Sequence, residues 1–352
     1  MPTNSRKTAG DGEVTAAWAD RRPATGALAR RMRGPGPKTA DASSQNRSNA
    51  GPNHSDGYRY LRGTRFLDIS PPGGVSPTDT FLLVHGLGGS LEQWAEVGRR
   101  LSATARVVAV DIPGFGESAF SDRRFHLDRA VRILADITRQ LGLTDATLVS
   151  HSVGFVVAGR LAGACPEAFR RVVLVSGSLI RASEIAQHPA RALRHPRTGL
   201  FVALQFAAGA APVPRSVLGL VARSRVLREL AFWPFTAHPA RLSPGLLVET
   251  LANSGSRAVL DVARNAAALD FRGALESIRQ PVTLIWGEDD PLIDDYDLGE
   301  IRKFVHVTAE GRLAECGHWP WVEQVSGLTS FLGGETFADG GAVVQTGGLR
   351  PV

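Results

Sequence analysis

The sequence predicts an α/β fold with a mostly parallel, doubly wound sheet, and two observations support this prediction. Short apolar runs alternate with helix-like stretches from residue 58 onward, as in the strand–helix–strand units of parallel sheets. Residues 179–250 interrupt this alternation with several short helical patterns and no obvious strand, and strand patterns resume afterwards. We therefore expect a parallel-sheet core with a helical insertion between two core strands.

Each predicted strand is a short apolar run bounded by turn residues, which is typical of strands covered on both faces. A first pair of strands is expected within Tyr58–Ser70, which ends at a Pro-Pro-Gly-Gly turn. The other predicted strands are Thr80–Val84, Arg106–Val110, Ala146–Val149, Arg171–Val175 and Val282–Trp286. The helix-like stretches are Leu91–Leu101, His126–Leu141, Val153–Ala164 and Ala258–Asp270.

Composition sets the expected domain boundaries. Residues 1–57 are rich in Ser, Ala, Gly, Pro, Asn and Arg, and are expected to be a disordered tail because they offer little apolar surface to bury. Residues 58–178 and 251–333 form the predicted core, 179–250 the helical insertion, and 334–352 a flexible C-terminal tail. No apolar segment follows the arginine pairs of the first tail, so we predict no export signal and a cytoplasmic location.

Composition and charge exclude several classes of protein. With 352 residues, of which 43% are hydrophobic and 21% charged, the chain can build a sizeable core. The longest apolar run, Leu200–Ala208, is broken by Gln205 and is far shorter than the roughly 20 residues of a membrane span. Two cysteines are too few for a disulfide framework or a thiolate zinc site. The net charge of +6 comes mostly from residues 1–57, so no nucleic-acid partner is expected.

The strongest chemical signal lies between the predicted strand Ala146–Val149 and the predicted helix Val153–Ala164. The turn from Ser150 to Gly154 reads Ser-His-Ser-Val-Gly. A sharp strand-to-helix turn of this kind lifts the hydroxyl of its central serine above the sheet, in front of a helix N-terminus. Ser150 stands where the usual pattern has glycine, and Ser152 is the candidate nucleophile.

A glycine-rich loop follows the predicted strand Thr80–Val84 directly, with the sequence His-Gly-Leu-Gly-Gly-Ser over residues 85–90. Such a loop can expose backbone N–H groups toward a developing negative charge. The backbone N–H groups of Leu87 and Val153 are therefore the expected oxyanion-hole donors.

Two further candidate groups follow late in the chain. The segment Trp-Gly-Glu-Asp-Asp-Pro places Asp289 and Asp290 at the end of the predicted strand Val282–Trp286, where a carboxylate can orient a catalytic imidazole. His318 stands 28 residues after Asp290, in a predicted loop before a C-terminal helix. The chain order serine, aspartate, histidine is typical of one class of hydrolase.

Together these segments resemble the α/β-hydrolase superfamily over roughly residues 58–333. The segments that carry the resemblance are His85–Gly88, Asp111–Ser118, Ser150–Gly154, Gly287–Asp290 and Gly317-His318. The resemblance implies an α/β-hydrolase fold in which residues 179–250 form a lid. It also implies Ser152 as nucleophile, Asp290 as acid and His318 as base, with Asp289 as the alternative acid. It implies neither a metal ion nor an organic cofactor.

By that resemblance, the expected function is hydrolysis of a small or medium apolar carboxylic ester through an acyl-enzyme on Ser152. The expected partner is a small apolar acyl substrate, and no oligomeric state is predicted. The side chains expected to line the substrate pocket are Trp94, Phe206, Trp233 and Trp319.

The same three residues serve other functions in this superfamily. Ser152 excludes the relatives that use an aspartate nucleophile to open epoxides or displace halide. Hydrolysis of a carbon–carbon bond in a vinylogous diketone stays open, although Phe155 stands where those relatives commonly carry a second glycine. Thioesterase and perhydrolase activity stay open too, as does a non-catalytic, ligand-binding member of the fold.

Overall fold

A computed structural model describes residues 57–118, 125–177, 180–264 and 269–334. The tails expected at residues 1–57 and 334–352 lie outside these residues, apart from Gly57 and Gly334. The strands of the described residues are β1 (Tyr58–Leu61), β2 (Thr64–Ile69), β3 (Thr80–Val84), β4 (Arg106–Val110), β5 (Ala146–His151), β6 (Phe169–Val175), β7 (Val282–Gly287) and β8 (Val307–Leu313).

The core helices in the described residues are α1 (Ala95–Leu101), α2 (Leu127–Gln140), α3 (Gly154–Ala164), α11 (Asp295–Ile301), α12 (Pro320–Glu323) and α13 (Val325–Leu332). The helices between β6 and β7 are α4 (Ile180–Gln187), α5 (Pro196–Ala210), α6 (Arg215–Arg223), α7 (Arg225–Phe232), α8 (Pro244–Thr250), α9 (Ala258–Arg264) and α10 (Phe271–Glu276). Short 3-10 turns cover Pro72–Gly74, Leu91–Trp94, Pro166–Ala168, Pro189–Leu193 and Pro239–Arg241.

The eight strands form one sheet in the order β1-β2-β4-β3-β5-β6-β7-β8. Strand β2 runs antiparallel to both of its neighbours, β1 and β4, and every other pair of neighbouring strands in the described residues is parallel. The carboxyl ends of the parallel strands therefore meet at one edge, where Ser150 pairs with Val84 on one side and Leu174 on the other. This topology confirms the predicted mostly parallel sheet.

Successive residues of β3 point to opposite faces of the sheet, as the pleat requires. Leu82 and Val84 belong to one buried cluster, together with residues of α2, α3 and α10. Phe81 and Leu83 belong to a second cluster, together with residues of α1 and α13. Helices thus cover both faces, and the sheet is doubly wound.

The insertion between β6 and β7 contains helices and no strand in its described residues. The segment that follows α8 is tied to the loop after β3, since Gly255 N–H donates to Gly88 O at 2.6 Å and Ser90 Oγ donates to Ala252 O at 2.8 Å. These bonds place the helical insertion over the carboxyl edge of the sheet.

The structure differs from the sequence pattern in two predicted helices. The stretch Leu91–Leu101 begins as a 3-10 turn before α1. Within the predicted helix Ala258–Asp270 the structure has α9 at Ala258–Arg264, and residues 265–268 lie outside the described part of the chain. Asp270, with a left-handed φ of 43°, then caps α10.

Helix α11 and strand β8 have no counterpart in the sequence prediction. The β8 sequence, Val-Thr-Ala-Glu-Gly-Arg-Leu, is half exposed at the edge of the sheet and lacks a continuous apolar run. None of the helices in the described part of the chain has the length and apolar composition of a membrane span.

Candidate active site

The turn between β5 and α3 holds Ser152 in a strained backbone conformation. Its φ of +51° lies in the left-handed region, and its N–H donates to Val175 O on the neighbouring strand at 3.0 Å. Gly154 is required because a Cβ there would lie 2.2 Å from His85 O. The first position of the motif tolerates Ser150, which is buried. The turn thus packs directly against the loop after β3.

The structure brings Ser152, His318 and Asp290 into one hydrogen-bonded series. Ser152 Oγ lies 2.9 Å from His318 Nε2, and His318 Nδ1 lies 2.8 Å from Asp290 Oδ2. All three side chains are buried. Because a carboxylate only accepts, Nδ1 carries the proton in this bond and Nε2 is left to accept from the serine hydroxyl. An imidazole in this tautomer can act as a general base toward serine.

The ends of β7 and β8 fix the relative position of the carboxylate and the imidazole. Asp290 Oδ1 also accepts the N–H of Leu292 at 2.9 Å, which orients the carboxylate. Asp289 is exposed, and its N–H donates to Cys316 O at 2.9 Å. The acid that meets the imidazole is therefore Asp290, and Asp289 joins the two loops through its backbone.

The carboxylate of Glu323 fixes the loop that carries His318 through hydrogen bonds to its backbone. The carboxylate accepts the N–H groups of Gly317 at 3.1 Å and Trp319 at 3.4 Å, on either side of His318. It also accepts the N–H of Ala237, from the helical insertion, at 2.7 Å. Burial raises the pKa of Glu323 to about 7.

The sequence prediction does not include Glu323. One feature of the sequence could have revealed it: Glu323 is the single acid in the apolar segment Trp-Pro-Trp-Val-Glu-Gln-Val that follows the histidine. An acid in such a segment is buried by its neighbours and must then find backbone donors.

The loop after β3 is locked by the ring of His85. Its Nε2 accepts the N–H of Ile112 at 2.9 Å, so Nδ1 carries the proton and donates to Gly86 O at 2.8 Å. Burial lowers the pKa of His85, which keeps the ring neutral as both bonds require. Gln93 Oε1 accepts the N–H of Gly86 at 3.1 Å and fixes the same loop from the other side.

Leu87 and Val153, the expected oxyanion-hole residues, lie on the two segments that meet at Ser152. Neither backbone N–H donates to an acceptor within the described ranges. Gly86 allows this approach, because a Cβ there would lie 2.7 Å from His151 Nδ1 and 3.2 Å from the Cβ of Ser152. Both N–H groups are thus available to a ligand at the serine.

His151, to which the sequence assigns no role, supports the histidine loop. It is buried, and its Nε2–H donates to the backbone carbonyl of His318 at 2.8 Å. Burial, and secondarily the neighbouring His318, lowers the pKa of His151 well below its usual value. A neutral His151 therefore fixes the main chain of His318 without adding a charge beside it.

A buried ion network extends from this loop to the helical insertion. Arg65 Nε lies 3.0 Å from Asp111 Oδ2, and Arg65 Nη2 lies 2.8 Å from Glu92 Oε2. Asp111 Oδ1 accepts the N–H of Leu91 at 2.8 Å, and Glu92 Oε1 accepts from Asn253 Nδ2 at 3.2 Å. The network joins β2, the loop after β3, the loop after β4 and the end of the insertion.

Two cavities meet at Ser152. The larger has a volume of about 280 Å³ and the smaller about 50 Å³, and both are lined by Ser152, Leu87 and Gln205. Within the described ranges, no Arg, Lys, Asp or Glu side chain lines either cavity. The site can therefore take an uncharged, largely apolar ligand on either side of the serine.

The four expected pocket residues divide into two pairs. Phe206 lines the smaller cavity. Trp319 lines the larger, where its ring stacks on Phe235 with centroids 5.0 Å apart. The expectation is wrong for Trp94, which is fully buried because its 3-10 turn packs against the sheet. It is also wrong for Trp233, which is 48% exposed and lines a separate surface cleft.

The packing of α7 explains why Trp233 lies outside the two cavities. That helix turns Phe232 toward the larger cavity and buries Arg228, whose guanidinium donates to carbonyl oxygens of Ala222 and Ala240. Trp233, one position beyond Phe232, is left on the outer side, where it packs edge-on against Phe201.

Cys316, two residues before His318, is buried, and burial raises the pKa of its thiol. A protonated, enclosed thiol is a packing group rather than a nucleophile. Within the described part of the chain, no group of three or more His, Cys, Asp or Glu side chains is placed to hold a metal ion.

A model of the alpha/beta hydrolase fold family matches residues 79–324. The 2-hydroxy-6-oxononadienedioate/2-hydroxy-6-oxononatrienedioate hydrolase of Paraburkholderia phymatum is 25% identical, over 72% of this chain and 85% of that protein. Epoxide hydrolase 4 of Mus musculus is 25% identical, over 73% of this chain and 74% of that protein.

Other curated relatives match over a shorter stretch. The dihydrolipoyllysine-residue acetyltransferase component of an acetoin cleaving system from Pseudomonas putida is 32% identical over 114 residues, which are 32% of this chain and 30% of that protein. The chain covers 26% of the protein with the same description from Cupriavidus necator. It thus spans less than a third of the length of these two relatives.

Solved structures share the fold at low sequence identity. A thermophilic esterase from Thermogutta terrifontis has a TM-score of 0.52 and 19% identity, over 79% of this chain and 92% of that one. A meta-cleavage product hydrolase from Pseudomonas fluorescens has a TM-score of 0.55 and 17% identity, over 78% of this chain and 93% of that one.

Proposed function

The chain belongs to the alpha/beta hydrolase fold family, and on this premise we propose that it is a serine hydrolase of neutral, apolar carboxylic esters. The observation that carries the proposal is the series Ser152–His318–Asp290, which opens into cavities without charged side chains.

In the proposed mechanism, His318 Nε2 takes the proton of Ser152 Oγ as the oxygen attacks the acyl carbon. Asp290 holds the imidazole in the required tautomer, and the N–H groups of Leu87 and Val153 donate to the developing oxyanion. His318 then passes its proton to the leaving oxygen, and the alcohol departs. A water molecule gives a proton to the same nitrogen and attacks the acyl-enzyme, and His318 returns this proton to Ser152 Oγ as the acid is released.

The proposed role of helices α4 to α8 is that of a lid over this chemistry. Gln205 and Phe206 of α5 and Phe232 of α7 line the cavities above Ser152. The N–H of His318 donates to Phe235 O, just beyond α7, at 2.7 Å. Covering helices exclude water and strengthen the hydrogen bonds to the oxyanion.

The charge of the cavity favours an ester over the dicarboxylate named for the Paraburkholderia relative. A dienedioate carries two carboxylates, and burying them without cationic partners is costly. Neither cavity is lined by an Arg or Lys side chain in the residues that the structure describes. Carbon–carbon bond hydrolysis of such an acid is therefore the second candidate, and a neutral ester is the first.

The test compares the two substrate classes on the full chain. We expect p-nitrophenyl butyrate to be hydrolysed with a kcat/KM at least about 100-fold above that of a 2-hydroxy-6-oxo-dienoate, each followed by absorbance. The same assay on Ser152→Ala gives the background. Faster turnover of the dienoate would overturn the ester proposal in favour of the second candidate.

A further inference from the structure

We propose that the two cavities divide the substrate at its scissile bond, so that the smaller cavity takes a short acyl group and the larger takes a bulky apolar alcohol. The inference rests on the proposed ester hydrolysis at Ser152. It names the substrate class as esters of short-chain carboxylic acids with large apolar alcohols.

The volumes set the sizes of the two groups. The smaller cavity, of about 50 Å³, has less than a fifth of the volume of the larger, of about 280 Å³, so the bulkier half of an ester fits the larger one. The smaller cavity is walled by apolar side chains, among them Val202, Phe206 and Phe271. Because of its smaller volume, we expect this cavity to accept a short alkyl chain better than a long one.

The path of the proton decides which half of the ester enters which cavity. The leaving oxygen must receive its proton from His318 Nε2, so the alcohol lies on the histidine side of the serine. Trp319 is the residue after His318, and the backbone carbonyl of Phe235 accepts the N–H of His318. Trp319 and Phe235 both line the larger cavity. Of the two proposed oxyanion donors, Val153 lines the smaller of these two cavities and not the larger, whereas Leu87 lines both. The alcohol therefore occupies the larger cavity and the acyl group the smaller.

Gln205 marks the junction of the two cavities. It lies on α5, lines both cavities beside Ser152, and its side chain has no hydrogen-bond partner among the residues that the structure describes. Its amide can bond to the ester group, which is the polar part of such a substrate. This places the scissile bond at the junction, with an apolar group on each side.

Two ester series on the full chain test the division. In p-nitrophenyl esters from acetate to decanoate, we expect kcat/KM to peak at about two to four acyl carbons and to fall at least about tenfold by octanoate. In acetates of ethanol, 2-phenylethanol and 2-naphthylethanol, whose leaving oxygens are similarly basic, we expect kcat/KM to rise at least about tenfold with size.

Two variants separate the cavities. Phe206→Ala opens the smaller cavity, and we expect the acyl optimum to move to longer chains while the order of the acetate series stays unchanged. Val221→Trp fills the larger cavity, and we expect it to lower kcat/KM on 2-naphthylethyl acetate about tenfold and to spare ethyl acetate. Thermal unfolding confirms that each variant is folded.

The possible failures are distinguishable. A preference for long acyl chains on small alcohols, or a Phe206→Ala variant that alters the acetate series instead of the acyl series, overturns the division but leaves a serine hydrolase. Absence of turnover in both series, together with no fluorophosphonate adduct on Ser152, overturns the proposed function and the division with it.

Discussion

Ser150 and Ser152 are both buried, but of the two hydroxyl groups only that of Ser152 forms a hydrogen bond to an imidazole. Its Oγ lies 2.9 Å from His318 Nε2, whereas Ser150 Oγ has no hydrogen-bond partner among the described residues. We expect Ser152→Ala to lower kcat/KM on a short-chain ester by at least about 1000-fold.

Ser150→Ala is the matched control, because it removes the same atom two residues away. We expect its kcat/KM to stay within about threefold of the unmodified chain, since a hydroxyl without a partner contributes little. Ester hydrolysis and thermal unfolding by circular dichroism check both variants. Retained activity in Ser152→Ala contradicts the assignment of the nucleophile.

The neighbouring aspartates provide a second matched pair. Asp290 Oδ2 lies 2.8 Å from His318 Nδ1, and Asp289 is exposed. Asp290→Asn should lower kcat about 10,000-fold, because an amide no longer holds the required imidazole tautomer. Asp289→Asn should remain near the unmodified rate. Steady-state kinetics decide between them, and the reverse result would assign the acid to Asp289.

The sequence pattern predicts the residues that meet in the hydrogen-bonded series but not those that hold them in place. Ser152 and His318 stand in local motifs, so chain order and turn chemistry are enough to select them. His151 and Glu323 act through backbone groups that only the folded chain brings near them. Trp94 and Trp233 show the same limit, because the face that an aromatic ring presents depends on how its helix packs.

At the scale of elements, α3 approaches the loop after β3 too closely for any side chain at Gly154. A Cβ there would lie 2.2 Å from His85 O, and backbone cannot move aside cheaply. We expect Gly154→Ala to lower the free energy of unfolding by about 2 kcal/mol and to lower activity as well.

Gly219→Ala is the control, since Gly219 lies inside α6 with no atom within 4 Å of an added Cβ. Alanine favours the helix there, so we expect stability to rise by about 0.5–1 kcal/mol. Urea unfolding followed by circular dichroism measures both changes. Equal effects of the two substitutions would refute the close contact between α3 and the loop.

Helix α12 positions the imidazole through Glu323, which binds the N–H groups of Gly317 and Trp319. We expect Glu323→Ala to lower kcat by about 10- to 100-fold with little change in KM, because the histidine is displaced while the cavities persist. Glu323→Gln keeps one acceptor oxygen and should recover part of the rate. A change in KM alone would show that Glu323 acts on the cavity rather than on the histidine.

The elements that the sequence predicts well are those with a continuous apolar run. The strands β3 to β7 are covered on both faces, so their composition alone marks them. Edge strand β8 is half exposed and carries Glu310 and Arg312, so its pairing with β7 comes from tertiary contact. The insertion is predicted as helical, but the direction of each helix is a property of the packed chain.

At the scale of the whole molecule, Asp297 joins the core to the insertion. It lies on α11, and its Oδ1 accepts the N–H of Arg181 at the start of α4 at 2.8 Å. Burial raises the pKa of Asp297 to about 8 from an ordinary value of 3.8. The folded chain therefore keeps this proton to a higher pH than the unfolded chain.

This difference gives the pH dependence a definite sign. The contribution of Asp297 to stability is full below pH 3.8, falls as the pH rises toward about 8, and is level above that. The side chain introduced by Asp297→Asn cannot ionise, so this substitution should abolish the loss of stability with rising pH. We expect the stability of Asp297→Asn relative to the unmodified chain to increase by about 1 kcal/mol or more between pH 5 and pH 8.5.

Urea unfolding of both proteins at the two pH values makes this comparison, and other titrating groups cancel in the difference. A relative stability that stays constant or decreases with pH would show that Asp297 is ionised in the folded chain at neutral pH.

The proposed function and the proposed division of the substrate both depend on an activated serine, and reaction of the folded protein with a fluorophosphonate probe tests this most directly. Intact mass and peptide mapping should show one adduct, on the peptide that contains Ser152, and no adduct in Ser152→Ala. An adduct on another residue, or none on a protein that circular dichroism shows to be folded, would contradict the claim that Ser152, His318 and Asp290 form a working catalytic series.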